Sequence, residues 1–303
     1  PSTFRCRHFT MTLSNTDIEA LKPGEWVTDD VIDFYFKYLK RKYFPDSKKY
    51  VYIPVTLANL LTERALDNST EYLKELASDA NALDIKSQIL GRPRTIRVAF
   101  LPIFGDGHWS LLVYRNQKHK LPEFLHFNSH LNSTREYHTQ CARTALINLL
   151  YVFRQNDPSM VISKESYKLI VKNCPQQTNG NDCGVFVCMY AYVLSSRLAK
   201  REAKNRASSM QDIIKRISNI SFNSPELHRS DQQLSFSQKN SNKDHFDRDD
   251  LLWKVKDKDV VPPDDMRSRI TNTIYHESTT SSTASMPSSS SSSRAQQPHT
   301  SRL

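Results

Sequence analysis

Six glycines serve a chain of 303 residues, and four of them, Gly105, Gly107, Gly180 and Gly184, flank two positions, His108 and Cys183. Glycine is used where backbone must turn sharply or be approached closely, so "GDGHW" and "NGNDCG" read as two tight, crowded loops. Cys183 admits two readings. Behind it runs Val185 to Leu194, "VFVCMYAYVL", a core-like helix in which a cysteine would be one more small hydrophobe. In front of it, polar Gln177, Asn179, Asn181 and Asp182 put it at the first turn of that helix, where free backbone N–H groups and the positive dipole end favour a thiolate.

The remaining elements follow from periodicity. Thr28, Asp29 and Asp30 form a helix start, and Ile32, Tyr35, Phe36, Leu39 and Tyr43 continue at helical spacing. "RTIRVAFLPIF" (94–104), "HWSLLVY" (108–114) and "EFLHF" (123–127) lie at hairpin-like distances and predict three neighbouring strands. Ala142, Ala145, Leu146, Leu149, Leu150 and Phe153 share one helix face, and "YKLIVK" (167–172) returns as a strand. Met210, Ile213, Ile214 and Ile217 predict a last amphipathic helix. After about residue 221 Ser, Asn, Asp, Gln and Lys dominate, up to "SSSSSS" at 288–293, which predicts a folded unit over 1–221 and a disordered Ser/Thr-rich tail over 222–303. Within that tail "DLLWKVKDKDVV" reads as an apolar patch in coil.

Charge narrows the partners. The formal net charge of +10 lies wholly in residues 1–221, because from Phe222 onward 11 Lys and Arg balance 11 Asp and Glu. It concentrates in "RLAKREAKNRASSMQDIIKR", which without the aromatic interleaving of a nucleic-acid module reads as a solvated helix face. Five cysteines without a C-x-x-C pair or a matching His cluster argue against a metal site and for reduced thiols in cytoplasm or nucleus. No apolar run reaches the roughly 20 residues of a membrane helix.

His108 alone would be an ordinary structural histidine. Paired with a cysteine at a helix start it supplies what thiol catalysis needs, an imidazole that takes the thiol proton and holds the thiolate. A cysteine peptidase also needs an oxyanion donor and a group to orient the imidazole. Gln177 fits the first role, with Gln176 one residue of register away, and Asn128 in "HFNSH" offers the second.

In that order, "HWSLLVY", "LHFNSH" and "QTNGNDCG" closely resemble the His, Asp and Gln/Cys blocks of the ubiquitin-like-protein proteases, the family that includes SUMO-specific proteases and deneddylases. The wording is most similar to the deneddylase branch, and the likeness spans roughly residues 10–200, with "EWVTDDVIDFYFKYL" similar to the family's Trp-x-x-Asp helix entry. The resemblance implies an α+β papain-like cysteine protease fold, a central mixed sheet packed by helices. It implies His108 as base, Cys183 as nucleophile, Gln177 as oxyanion donor and Trp109 as cover of a channel for a Gly-Gly tail. It also implies Trp26 and Asp29 as contacts to the modifier, no cofactor or metal, and a monomer acting on a ubiquitin-like modifier and its conjugates. Asn128 stands where the family has aspartate. In a serine triad that exchange costs about four orders of magnitude, but a thiol with its lower pKa can work with an amide that orients the ring, as in Cys-His-Asn sites. The alternatives are a weakened or inactive pseudoprotease that binds a ubiquitin-like modifier, and a thiol acetyltransferase of the related bacterial-effector type, which uses a similar His, acid and Cys order.

Overall fold

The computed structural model describes residues 3–6, 11–63, 95–116, 121–157, 167–221 and 251–282. Strands β1 (Thr3–Cys6) and β2 (Met11–Ser14) pair antiparallel and lead into the short helix α1 (Asn15–Glu19). Helix α2 (Asp29–Tyr43) begins where its capping pattern puts it. Thr28 Oγ1 accepts from the Val31 N–H, Asp29 and Asp30 occupy the first turn, and Lys40, Arg41 and Lys42 close the last.

Among the described residues five strands form the central sheet, β3 (Tyr50–Tyr52), β4 (Val98–Gly105), β5 (His108–Arg115), β6 (Glu123–Phe127) and β7 (Lys168–Lys172), side by side in that order. The two outer pairs are parallel and the inner ones antiparallel, so the sheet is mixed, as expected of the α+β reading. The alternation of strand side chains feeds two cores. Val98, Phe100, Leu111, Val113, Leu125 and Phe127 join one with α2, and Ala99, Leu101, Ile103, Leu112, Tyr114 and Phe124 join the other with α3 (Val55–Glu63) and α4 (Leu131–Asn156).

The first core also receives α5 (Cys183–Ser221), one continuous helix where the sequence predicts two, because no Gly or Pro interrupts it after Gly184. From Ala203 to Lys215 this helix is exposed, so most of the basic run is the solvated face expected of it. Among the described residues no helix is long and apolar enough to cross a membrane.

The predicted boundary at residue 221 needs correction. Residues 251–282 are built into the fold: Trp253 and Val255 from "DLLWKVKDKDVV", with Met266, Ile270 and Ile274 of α6 (Pro263–Ser282), are buried in the first core. Arg197 of α5 pins the returning chain, donating to the Leu252 and Lys254 carbonyls and pairing with Asp259 at 2.7 Å. The physical reason is periodicity: 266, 270 and 274 lie one turn apart on one helix face, enough to bury a stripe in a composition that looks unfoldable when averaged over the tail. The parts of the predicted tail at 222–250 and 283–303 lie outside the described residues.

Candidate active site

Cys183 opens α5, and the start of that helix is built by side chains. Asn179 Oδ1 accepts from the Asp182 N–H at 3.1 Å, its Nδ2 donates to Asp182 Oδ2 at 2.8 Å, and the Asp182 carbonyl accepts the first helical bond from Phe186 N. Cys183 is 1% exposed and sits against β5, where the Trp109 backbone N–H favours its thiolate. The approach of α5 to the sheet is close. A Cβ on Gly184 would lie 3.0 Å from Val27 Cβ and 3.4 Å from Trp109 Cδ1.

His108 is the first residue of β5, across the hairpin from Gly105. The turn between them, Asp106-Gly107, has positive φ at both positions, 47° and 65°, the two-residue hairpin geometry that Asp-Gly favours. The Trp26 indole lies over Gly107, where a Cβ would stand 3.2 Å from its ring, and a Cβ on Gly105 would meet Tyr137 at 2.9 Å. Gly180 is the exception to the crowding read from sequence, with open space around it.

Asn128, wholly buried just beyond β6, fixes the imidazole. Its Oδ1 accepts from the His130 backbone N–H at 2.9 Å, which identifies that atom as the oxygen, and lies 2.9 Å from His108 Nε2. His108 therefore carries its proton on Nε2, which leaves the lone pair on Nδ1. The turn role and the orienting role of Asn128, alternatives at the level of sequence, are both carried by one oxygen.

Gln176 and Gln177 separate cleanly. The Gln176 amide donates to the carbonyls of Asn128 and Cys174, whereas Gln177 receives a hydrogen bond from Ser129 Oγ at 2.7 Å and donates to Asn179 O at 2.6 Å, beside the helix start. Trp109 is buried and packs against Phe104 at 4.6 Å between centroids, whereas Trp26 is 51% exposed and Asp29 is exposed in the first turn of α2.

Residues that sequence reasoning passed over surround this set. His138 of α4 stands edge-on to His108 at 4.6 Å, donates from Nε2 to Gly105 O at 3.0 Å, and so accepts at Nδ1 from Ser110 Oγ. Ser110 in turn accepts from His126 Nε2 at 3.0 Å, leaving His126 Nδ1 buried without a partner among the described residues. Burial holds these rings neutral, pushing His138 down to about 4 and His126 to about 3. The one signal available was the density of histidine around Asn128 in "HFNSH" and the following "YHTQC".

Burial also pushes the Cys183 thiol up, although the N–H groups of Trp109 and Gly184 favour its thiolate, and pushes His108 down against the opposing Asn128 bond. The helix start alone therefore does not make a resting thiolate, contrary to the expectation from sequence. Burial thus favours a neutral thiol at Cys183 and a neutral imidazole, protonated on Nε2, at His108.

Residues 25–224 match the model of the Ulp1 protease family, C-terminal catalytic domain. Among curated proteins the chain is similar to NEDD8-specific protease 1 of Arabidopsis thaliana, 29% identical over 196 residues that cover 65% of this chain and 77% of that one. It is similar to sentrin-specific protease 8 of Homo sapiens, 25% identical over 201 residues, 64% of this chain and 82% of that one. A solved de-sumoylating protease shares the fold with a TM-score of 0.55 at 18% identity, over 90% of this chain and 89% of its own.

Proposed function

The chain belongs to the Ulp1 protease family, and from that premise we propose that it is a thiol protease that hydrolyses the bond after the C-terminal Gly-Gly of a ubiquitin-like modifier, by way of a thioester on Cys183. The observation that carries the reading is the His108–Asn128 bond, whose oxygen is fixed by the His130 N–H and whose proton is thereby fixed on Nε2.

The Cys183 thiol gives its proton to His108 Nδ1 as the sulfur attacks the terminal glycine carbonyl. Thiolate and imidazolium appear together, so each charge offsets the burial penalty of the other. The oxyanion of the tetrahedral intermediate is stabilised by the Gln177 amide and the Cys183 backbone N–H at the start of α5, a donor of this kind contributing about 10²–10³ in rate. His108 then protonates the leaving amine, while the Asn128 oxygen holds the ring in place. Water, deprotonated by the same nitrogen, hydrolyses the thioester and restores the thiol.

Specificity for a Gly-Gly tail comes from shape. Trp109 beside the thiol and Trp26 over Gly107 leave little room for side chains next to the scissile bond. The similarity to a NEDD8-specific protease favours a NEDD8-type modifier over SUMO, bound by the surface around Trp26 and Asp29. The buried free thiols of Cys174 and Cys188 fit a reducing compartment, cytoplasm or nucleus. The test is cleavage of NEDD8 and SUMO precursors: processing of the NEDD8 precursor, abolished by Cys183→Ala, supports the reading, and processing of SUMO alone corrects the modifier. Cleavage of neither overturns it.

A further inference from the structure

The side chain that touches the nucleophile's neighbour most directly comes from outside the matched family segment. Arg267, on α6, is 1% exposed and heads the fully buried side chains by volume. Its Nε and Nη2 donate to Asp182 Oδ1 at 3.3 and 2.7 Å, its Nη1 to the Ala20 carbonyl at 3.0 Å, and its Nη2 also to the Glu25 carbonyl at 2.7 Å.

Both ends of this clamp lead to the site. Asp182 precedes Cys183, its carbonyl takes the first bond of α5, and the Asp182–Cys183 peptide supplies the N–H assigned above to the oxyanion. On the other side Ala20 and Glu25 bracket the loop that delivers Trp26, which covers Gly107, and Val27, which meets α5 at Gly184. A guanidinium is costly to bury, and its planar fork is suited to holding a carboxylate and two carbonyls in fixed relation. The docking of α6 does not rest on it alone, since Met266, Ile270 and Ile274 supply a buried apolar stripe.

We propose that Arg267 is a positioning residue for the reaction, holding the start of α5 and the Trp26 loop in register and neutralising the Asp182 carboxylate beside the thiol, so that residues 251–282 are part of the catalytic unit. The assignment rests on Cys183 being the nucleophile. Support comes from electrostatics: the Asp182 charge disfavours the Cys183 thiolate, and without Arg267 it would do so uncompensated in a buried site.

The experiment compares Arg267→Gln, Arg267→Lys and the double variant Arg267→Gln with Asp182→Asn, in the full chain and well below each melting temperature. Two quantities are read: the rate at which iodoacetamide alkylates Cys183 at pH 7, located by mass spectrometry, and kcat and KM on a modifier precursor. Arg267→Gln is expected to slow alkylation and lower kcat by about 10-fold or more, the consequence of about one pKa unit from an uncompensated neighbouring carboxylate. The double variant, with no charge left, is expected to regain alkylation to within about 3-fold, a rescue that a merely structural peg would not give. Arg267→Lys keeps a cation but cannot reach both carbonyls, so alkylation should stay near wild type while KM rises. Wild-type alkylation and kcat in a folded Arg267→Gln protein overturn the proposal. If that variant does not fold, an unchanged KM in Arg267→Lys overturns it. Alkylation needs no modifier, so a dependence on Arg267 without precursor cleavage would leave the clamp standing and count against the protease reading instead.

Discussion

Shortening the chain after residue 250 should unfold the domain, not trim a tail. The cut removes Trp253, Val255, Met266, Ile270 and Ile274, all buried in the core that α2 and α5 share. A buried side chain of this size contributes about 1.5–3 kcal/mol, so the docked face is worth gross about 7–15 kcal/mol, against a total stability of about 5–15 kcal/mol for a domain. The cut also leaves the Asp182 carboxylate buried without its guanidinium, a loss that in other buried pairs costs about 3–5 kcal/mol. A milder perturbation puts a finer number on the same claim. Ile270→Ala should cost about 2–5 kcal/mol, which for a domain of roughly 200 residues lowers the melting temperature by about 4–20 °C. Near-ultraviolet circular dichroism and thermal melts of the full chain, the Ile270→Ala variant and the shortened chain measure both effects. A shortened chain that melts cooperatively near the wild-type temperature and keeps its turnover would show that residues 251–282 are dispensable to the fold.

Three further outcomes are expected. Asn128→Asp should preserve or raise precursor turnover, because a carboxylate orients the His108 ring and also stabilises imidazolium, whereas Asn128→Ala should lower it by about 10²–10⁴; equal rates in the three proteins would show that the ring is held otherwise. Gln177→Ala should lower kcat by about 10²–10³ while Gln176→Ala chiefly lowers stability, and the reverse pattern would exchange their roles. The neutral burial of His126 and His138 predicts stability that is fully present above the ordinary imidazole pKa of about 6.5 and lost as pH falls toward about 4 and 3, since the unfolded chain binds protons that the folded one refuses. Asp33, pushed up to about 6 by burial, acts in the opposite sense between about 6 and its ordinary range, so urea midpoints at pH 7 and pH 5 are compared between wild type and His138→Gln. An equal pH dependence in both proteins would sink the assignment.

What the sequence made legible were features written in local code. The Thr28 cap with its following acids gave α2, the Asp-Gly turn gave the β4–β5 hairpin, and the polar approach to Cys183 gave the start of α5. Features that rest on averages or on distant partners were harder to read. The buried stripe of α6 was present as Met266, Ile270 and Ile274 behind Pro263 and the acids Asp264 and Asp265, a good helix start, but serine-rich surroundings diluted it. Arg267 meets Asp182 across 85 residues of chain, a pairing that no local pattern encodes. The histidine network is likewise assembled from β5, β6 and α4, and only the fold brings Ser110 between His126 and His138. The Cys183 environment shows the same limit: the helix start is visible in sequence, but the burial that outweighs it is not.

Whether Cys183 attacks the C-terminal carbonyl of a ubiquitin-like modifier can be read from covalent capture. NEDD8, SUMO and ubiquitin, each ending in a C-terminal electrophile, are incubated with the wild-type chain and with the Cys183→Ala, Cys174→Ala and Cys188→Ala variants, and adducts are located by mass spectrometry. The prediction is a single adduct on Cys183, formed with the NEDD8 probe, undiminished in the Cys174 and Cys188 variants and absent from Cys183→Ala; an adduct that survives Cys183→Ala, or no adduct with any of the three probes, would contradict it.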